Sequence, residues 1–111
     1  MSDVWTYRSG LVDKTSDIAG YEVVASDGSI GKIDEATYDT GSGSIVVDTG
    51  VWIFGKKRMI PAGAVRAVDH GRREVRVNMT KDQIKKAPDY DERRRSDKSY
   101  RDELGTYYSR F

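Results

Sequence analysis

The stretch Ile45–Pro61, IVVDTGVWIFGKKRMIP, decides how the rest of the chain is read. Ile45, Val46 and Val47 form an apolar β-branched run, a composition that suits a pleated, buried surface. Val51–Phe54 adds a second apolar group, Gly55-Lys56-Lys57 reverses the chain, and Met59-Ile60-Pro61 brings it back. The pattern predicts a strand, a bend, a hydrophobic corner and a returning strand. One of the two tryptophans lies within it, so most of the core is expected here.

Working outward, order is expected to begin at Gly20. Tyr21–Ala25 reads as a short strand, Ser26-Asp27-Gly28-Ser29 as its turn, and Ile30–Asp39 as the return, with Ile33, Glu35, Thr37 and Asp39 tending to one side. Gly31 marks a bulge or a close backbone crossing, because a residue without Cβ permits both. Asp39–Gly43 is a loose turn into the central strand. After Pro61, Ala62-Gly63-Ala64 links to Val65–Asp69, His70-Gly71 turns, and Arg73–Asn78 alternates Val75 and Val77 with Glu74, Arg76 and Asn78. Strands this close together, joined by glycine turns without intervening helices, predict a mainly β fold, a small closed antiparallel barrel.

Thr80 is placed to cap a short helix over Lys81–Lys86, which Ala87-Pro88 stops. Asp91–Lys98 is almost wholly charged and reads as a solvated linker. Ser99–Phe111 then sets Tyr100, Leu104, Tyr107, Tyr108 and Phe111 at spacings of three and four, one aromatic face of a helix. Isolated helices need roughly 12–15 residues to persist in water, and Gly105 weakens this one further. It must dock, on its own barrel or on a neighbouring subunit, and those five residues are the candidate interaction surface. Residues 1–17 mix Trp5, Tyr7, Leu11 and Val12 with Ser, Asp and Gly without a sustained period. They form a flexible amino-terminal arm, or one that Trp5 and Tyr7 pin down. The expected division is 1–17 arm, 18–90 barrel, and 91–111 charged linker with its short aromatic helix.

The totals narrow the functional classes. A chain of 111 residues that is 37% hydrophobic and 33% charged supports one small domain plus arms. A formal net charge of +1 excludes a strongly basic overall field but not local patches. There are no cysteines, hence neither disulfides nor thiolate metal sites. No apolar run approaches the roughly 20 residues of a membrane span, and no signal segment opens the chain, so a cytoplasmic location is expected.

Gly20-Tyr21-Glu22-Val23-Val24, followed by Asp27-Gly28-Ser29-Ile30-Gly31-Lys32-Ile33, resembles a PRC-barrel domain. This small β-barrel is shared by the photosynthetic reaction centre H subunit and the carboxy-terminal half of the ribosome maturation factor RimM. The resemblance extends to Asp39 near the end of the second strand, a valine-rich third strand, and Pro61 closing the fourth. Lys81-Asp82-Gln83-Ile84, Ala87-Pro88 and Tyr107-Tyr108 look like the tail of stand-alone bacterial members, which are loosely tied to stress. The membrane helix of the H subunit and the amino-terminal domain of RimM have no counterpart here. What the resemblance implies is a non-enzymatic protein-interaction module, with a protein partner or further copies of itself; the alternative it implies is a ribosome- or RNA-associated maturation or stress factor resembling the barrel of RimM.

The residues themselves offer little chemistry. His70, the single histidine, sits in a turn beside Gly71 and reads as a turn residue rather than a base. Asp34 and Glu35 should point to opposite faces of a strand, and with Asp39 and Asp48 they read as an outer wall. Asp39–Ser44 lacks the later ligands of a calcium loop. Gly28–Lys32 is too short for a phosphate loop, and Ile33 replaces its hydroxyl residue. No cofactor or metal is implied, and a small barrel is filled by its own side chains. Lys56, Lys57 and Arg58, beside Trp52 and Phe54, could join Arg72, Arg73 and Arg76 in a basic, RNA-binding face; turns of soluble barrels carry charge in any case, so nucleic acid is the lesser expectation. Arg93-Arg94-Arg95 is flanked by Asp91, Glu92 and Asp97, and beyond a Debye length of roughly 8 Å its field should largely cancel.

Overall fold

The computed structural model describes residues 4–8, 10–11, 17–38, 41–50 and 57–111. Six strands form one sheet: β1 (Glu22–Ala25), β2 (Gly28–Thr37), β3 (Ser44–Asp48), β4 (Lys57–Pro61), β5 (Val65–Asp69) and β6 (Glu74–Val77). Two α-helices follow, α1 (Lys81–Lys85) and α2 (Lys98–Tyr108). The expected strands are therefore present. The corner at Val51–Phe54, with Trp52, lies outside the described residues.

Strand order is β4-β3-β2-β1-β6-β5. The pairings β1–β2, β2–β3, β3–β4 and β5–β6 are antiparallel, whereas β1 and β6 run parallel. This corrects the expectation of a closed, wholly antiparallel barrel: among the described residues no ladder joins β4 to β5. A single 3-10 turn, Ala62–Ala64, carries the chain from β4 straight into β5, so the two edge strands of the order are consecutive in sequence and are joined by that turn rather than by a ladder.

The buried faces are those the β-branched runs supply. Ile45, Val46, Val47, Met59, Ile60, Val65, Val75 and Val77 are buried in one apolar cluster with Ile18, Val23, Ile30 and Ile33. A row of charges crosses the wet end of the sheet, pairing Lys57 with Asp48, Asp48 with Lys32, and Lys32 with Glu22. Opposite charges directly across a ladder each contribute about 0.2–1 kcal/mol. Register shifts at Val23/Val24, at Ile33/Glu35 and at Val65/Ala67 mark three irregularities. Gly31, opposite the first, has φ 149°, and a Cβ there would stand 2.1 Å from the Asp48 carbonyl oxygen. Both readings of this glycine hold, the bulge and the close crossing.

α1 begins on a reciprocal cap. The Thr80 hydroxyl accepts from the Gln83 N–H at 3.2 Å, and the Gln83 side chain accepts from the Thr80 N–H at 2.8 Å. Asp27, in the β1–β2 turn, accepts from the Lys81 N–H at 2.8 Å and fixes the helix start to the sheet.

Candidate interaction surface

α2 starts where Asp97 accepts from the Ser99 N–H at 2.9 Å, and a Lys98–Asp102 ion pair at 2.8 Å supports its first turn. Its four-residue spacing puts Tyr100, Leu104 and Tyr108 on one face, and all three are buried in the chain's own core. The helix therefore docks in cis. Three of the five residues expected on a contact surface are committed to that core, because they form the apolar stripe that keeps a short helix folded. Tyr107 and Phe111 remain accessible, and Phe111 is the exposed large hydrophobic side chain among the described residues. Tyr107 is half-buried, donates its hydroxyl to the Gln83 carbonyl, and meets Tyr108 and Phe111 edge to face at 5.2 and 5.5 Å. An aromatic chain thus runs from core to surface at the end of α2.

The described part of the amino-terminal arm lies against this helix. The Gly63 N–H donates to the Val4 carbonyl and the Gly43 N–H to the Trp5 carbonyl, both at 2.7 Å, and the Gly41 N–H donates to the Thr6 hydroxyl at 2.8 Å. Trp5 is buried, with the Arg101 guanidinium 4.0 Å from its ring centre. Gly105, expected only to weaken the helix, makes room for it: a Cβ there would meet the indole nitrogen at 3.2 Å and Val4 Cγ1 at 3.3 Å. For residues 4–8 the pinned alternative applies, through Trp5 and through Tyr7, whose hydroxyl donates to the Ser44 carbonyl at 3.3 Å and whose ring stacks on Tyr38 at 5.8 Å. Burial raises the pKa of the Tyr7 hydroxyl above the ordinary phenol value. Arm, Gly63-Ala64 and the end of α2 together enclose a groove of about 780 Å³, lined among others by Val4, Tyr7, Arg8, Asn78 and Phe111.

The expected basic face is dispersed. Lys56 lies outside the described residues. Lys57 pairs with Asp34 at 2.6 Å, a hydrogen bond that raises the ammonium pKa. Arg58 is the clearest correction: its side chain is 3% exposed, because β4 turns it inward under α1. There it donates to the Ile84, Lys85 and Lys57 carbonyls at 3.1, 3.0 and 3.2 Å and to Asp89 at 2.7 Å. It closes the carboxy-terminal end of α1, where unpaired carbonyls call for a cation. Arg76 pairs with Glu74 at 2.9 Å on β6. Arg72 and Arg73 occupy the turn before it, with Arg73 at φ 55° and 5.6 Å from the Tyr21 ring centre. Strands β3, β2 and β1 stand between β4 and β6.

Carboxylates behave differently from the expectation of opposite faces. The irregularity between Ile33 and Glu35 interrupts alternation, and Asp34 and Glu35 line one cleft of about 240 Å³ with Lys57, Tyr90 and Glu92. Each is held by a cation, Asp34 by Lys57 and Glu35 by Arg95, both at 2.6 Å. His70 stays in its turn, its Nδ1 hydrogen-bonded to the Tyr21 hydroxyl at 2.9 Å. Among the described residues no group of three or more His, Asp or Glu side chains is arranged to hold a metal ion, and no helix is long and apolar enough to cross a membrane.

No curated protein matches the chain. Among solved structures, a putative 16S ribosomal RNA processing protein RimM from Pseudomonas aeruginosa is similar at 18% identity and a TM-score of 0.47. That match covers 64% of this chain and 50% of that one, so it spans half of the relative's length. The PRC-barrel domain family matches residues 12–84, well over half of the sequence and the whole of the six-stranded sheet. The chain belongs to the PRC-barrel domain family.

Proposed function

We propose that this PRC-barrel chain is a non-enzymatic protein-interaction module that associates with further copies of itself through the end of α2. The observation that carries the reading is the pairing of a projection with a hollow. Phe111 is exposed at the end of an aromatic chain, and it also rims the groove formed with Val4, Tyr7 and Ala64. A projection beside a hollow on one face is self-complementary under a two-fold axis, the commonest symmetry of soluble oligomers. Aromatic side chains are the residues such contacts use as anchors. An RNA-binding role has less support, since Arg58, the last residue of the expected basic stretch Lys56-Lys57-Arg58, is spent inside the fold.

The test replaces Phe111 with Asp, which removes the anchor without touching the core. The unmodified chain is expected to increase in mean mass with concentration, measured by light scattering, and F111D to remain at the mass of one chain. An unmodified chain that stays monomeric throughout would overturn self-association, and RNA retained in a salt-sensitive manner by the unmodified chain would favour the other reading.

A further inference from the structure

α2 is held from two sides. Tyr100, Leu104 and Tyr108 seat it in the core, and Val4 and Trp5 press on it at Gly105. The second attachment includes two backbone hydrogen bonds at 2.7 Å, one to Thr6 at 2.8 Å, the buried indole with its Arg101, and Tyr7 through its hydroxyl and its stacking on Tyr38. It is also made to measure. A Cβ on Gly63 would stand 2.7 Å from the Val4 carbonyl oxygen, one on Gly43 would stand 3.1 Å from the Tyr7 ring, and Gly105 receives the indole. Three glycines from separate parts of the chain thus shape one seat for four consecutive residues.

Arg101 ties the helix to what lies beneath the arm. Its guanidinium donates to the Arg95 and Ser42 carbonyls, both at 3.0 Å, while Trp5 covers it. Removing the indole opens this tie to water, where hydrogen bonds to the solvent compete. The docked helix also carries a cost of its own. The Tyr108 hydroxyl is buried with no hydrogen-bond partner among the described residues, a penalty that lifting the helix would relieve.

We propose that residues 4–8 are a releasable latch: seated, Trp5 clamps α2 to the sheet, and unseated, α2 lifts as a unit and offers Tyr100, Leu104 and Tyr108 to a second copy of the chain. The choice of recipient rests on the self-association proposed above, whereas the latch itself does not. Each copy already contains the apolar seat that fits this helix, and the connection into α2 is the charged segment 91–97, which adds no buried residue to the core. Exchange of an identical element between copies follows.

Amide hydrogen exchange on the full chain tests this without assuming that any variant folds. In the unmodified protein, α2 amides are expected to exchange at least about tenfold faster than those of β3, through an opening that leaves the sheet intact. Trp5→Ala should speed α2 by about a further tenfold and leave β3 unchanged, and Arg101→Met should act in the same direction. A single shared rate for α2 and β3 in the unmodified chain would overturn the latch, as would a W5A variant in which both accelerate equally. Faster α2 exchange in W5A with no gain in associated mass would keep the latch and overturn the second copy as recipient, whereas F111D reports on the Phe111 contact alone.

Discussion

Gly31 shows how much one missing methyl group can carry. An added Cβ would fall 2.1 Å from a carbonyl oxygen of the neighbouring strand, at a φ of 149°, and backbone cannot retreat as a flexible side chain does. Gly31→Ala is expected to cost about 3 kcal/mol or more in urea unfolding. Gly50→Ala is the contrast: φ is 60° but nothing lies within 4 Å, so only the left-handed conformation is strained, about 1 kcal/mol. Arg58 is the second residue on which much depends. Arg58→Ala removes a buried guanidinium, taking its donors from the Lys85 carbonyl and from the Ile84 carbonyl, which keeps the Ala87 N–H, and should cost about 2–4 kcal/mol. The two positions differ in what their sequence context revealed. A glycine one step inside a strand advertises its own exceptional backbone, whereas Lys56-Lys57-Arg58 looks uniformly like a surface turn. What distinguishes Arg58 is a pair of carbonyls some 26 residues away in sequence, and no local pattern encodes them.

At the level of elements, α1 and the strands obeyed local chemistry, so they could be read directly. Thr80→Ala should remove the reciprocal cap and lower stability by about 1 kcal/mol in the same unfolding assay. The charge row gives a prediction for the sheet. Lys32 stands between Glu22 and Asp48 on its two neighbours, and Glu22 stands opposite Glu74, so Lys32→Glu places four like charges in line, costing about 1 kcal/mol at low ionic strength and less as salt is added. If the cost proves independent of salt, the cross-strand row is not its origin. The parallel β1–β6 pairing was not legible, because it joins strands at the two ends of the barrel sequence, and hydrophobic alternation fixes a strand's face but not its neighbour. The aromatic spacing of α2 was legible as a docking face. It did not reveal that the face would be consumed by the chain itself, since burial in cis and in trans demands the same residues.

For the whole molecule, the seat of the arm is the feature that joins residues 4–8 and α2 to the sheet. Gly43 lies in the loop before β3, Gly63 in the turn between β4 and β5, and Gly105 in α2, so their common purpose appears only once the fold brings them together. The same packing makes stability sensitive to alkali. Burial raises the pKa of Tyr7, Tyr100 and Tyr108 above the ordinary phenol value. Folding therefore favours their neutral forms. That contribution is complete below about pH 10, the value in the unfolded chain, and is lost as pH rises toward the higher values of the folded state. Phenolate absorbance should consequently rise in two stages, with the later stage accompanying loss of the folded circular dichroism signal; full phenolate absorbance at a pH where the fold persists would contradict the burial of these rings. The central claim is that a PRC-barrel chain whose helix is docked in cis still presents a self-complementary aromatic face. Sedimentation equilibrium of the unmodified chain beside F111D, over a wide range of concentration, tests it most directly. Reversible association is expected of the first and a monomer of the second; a monomer in both, or equal association in both, would rule out self-association through this face.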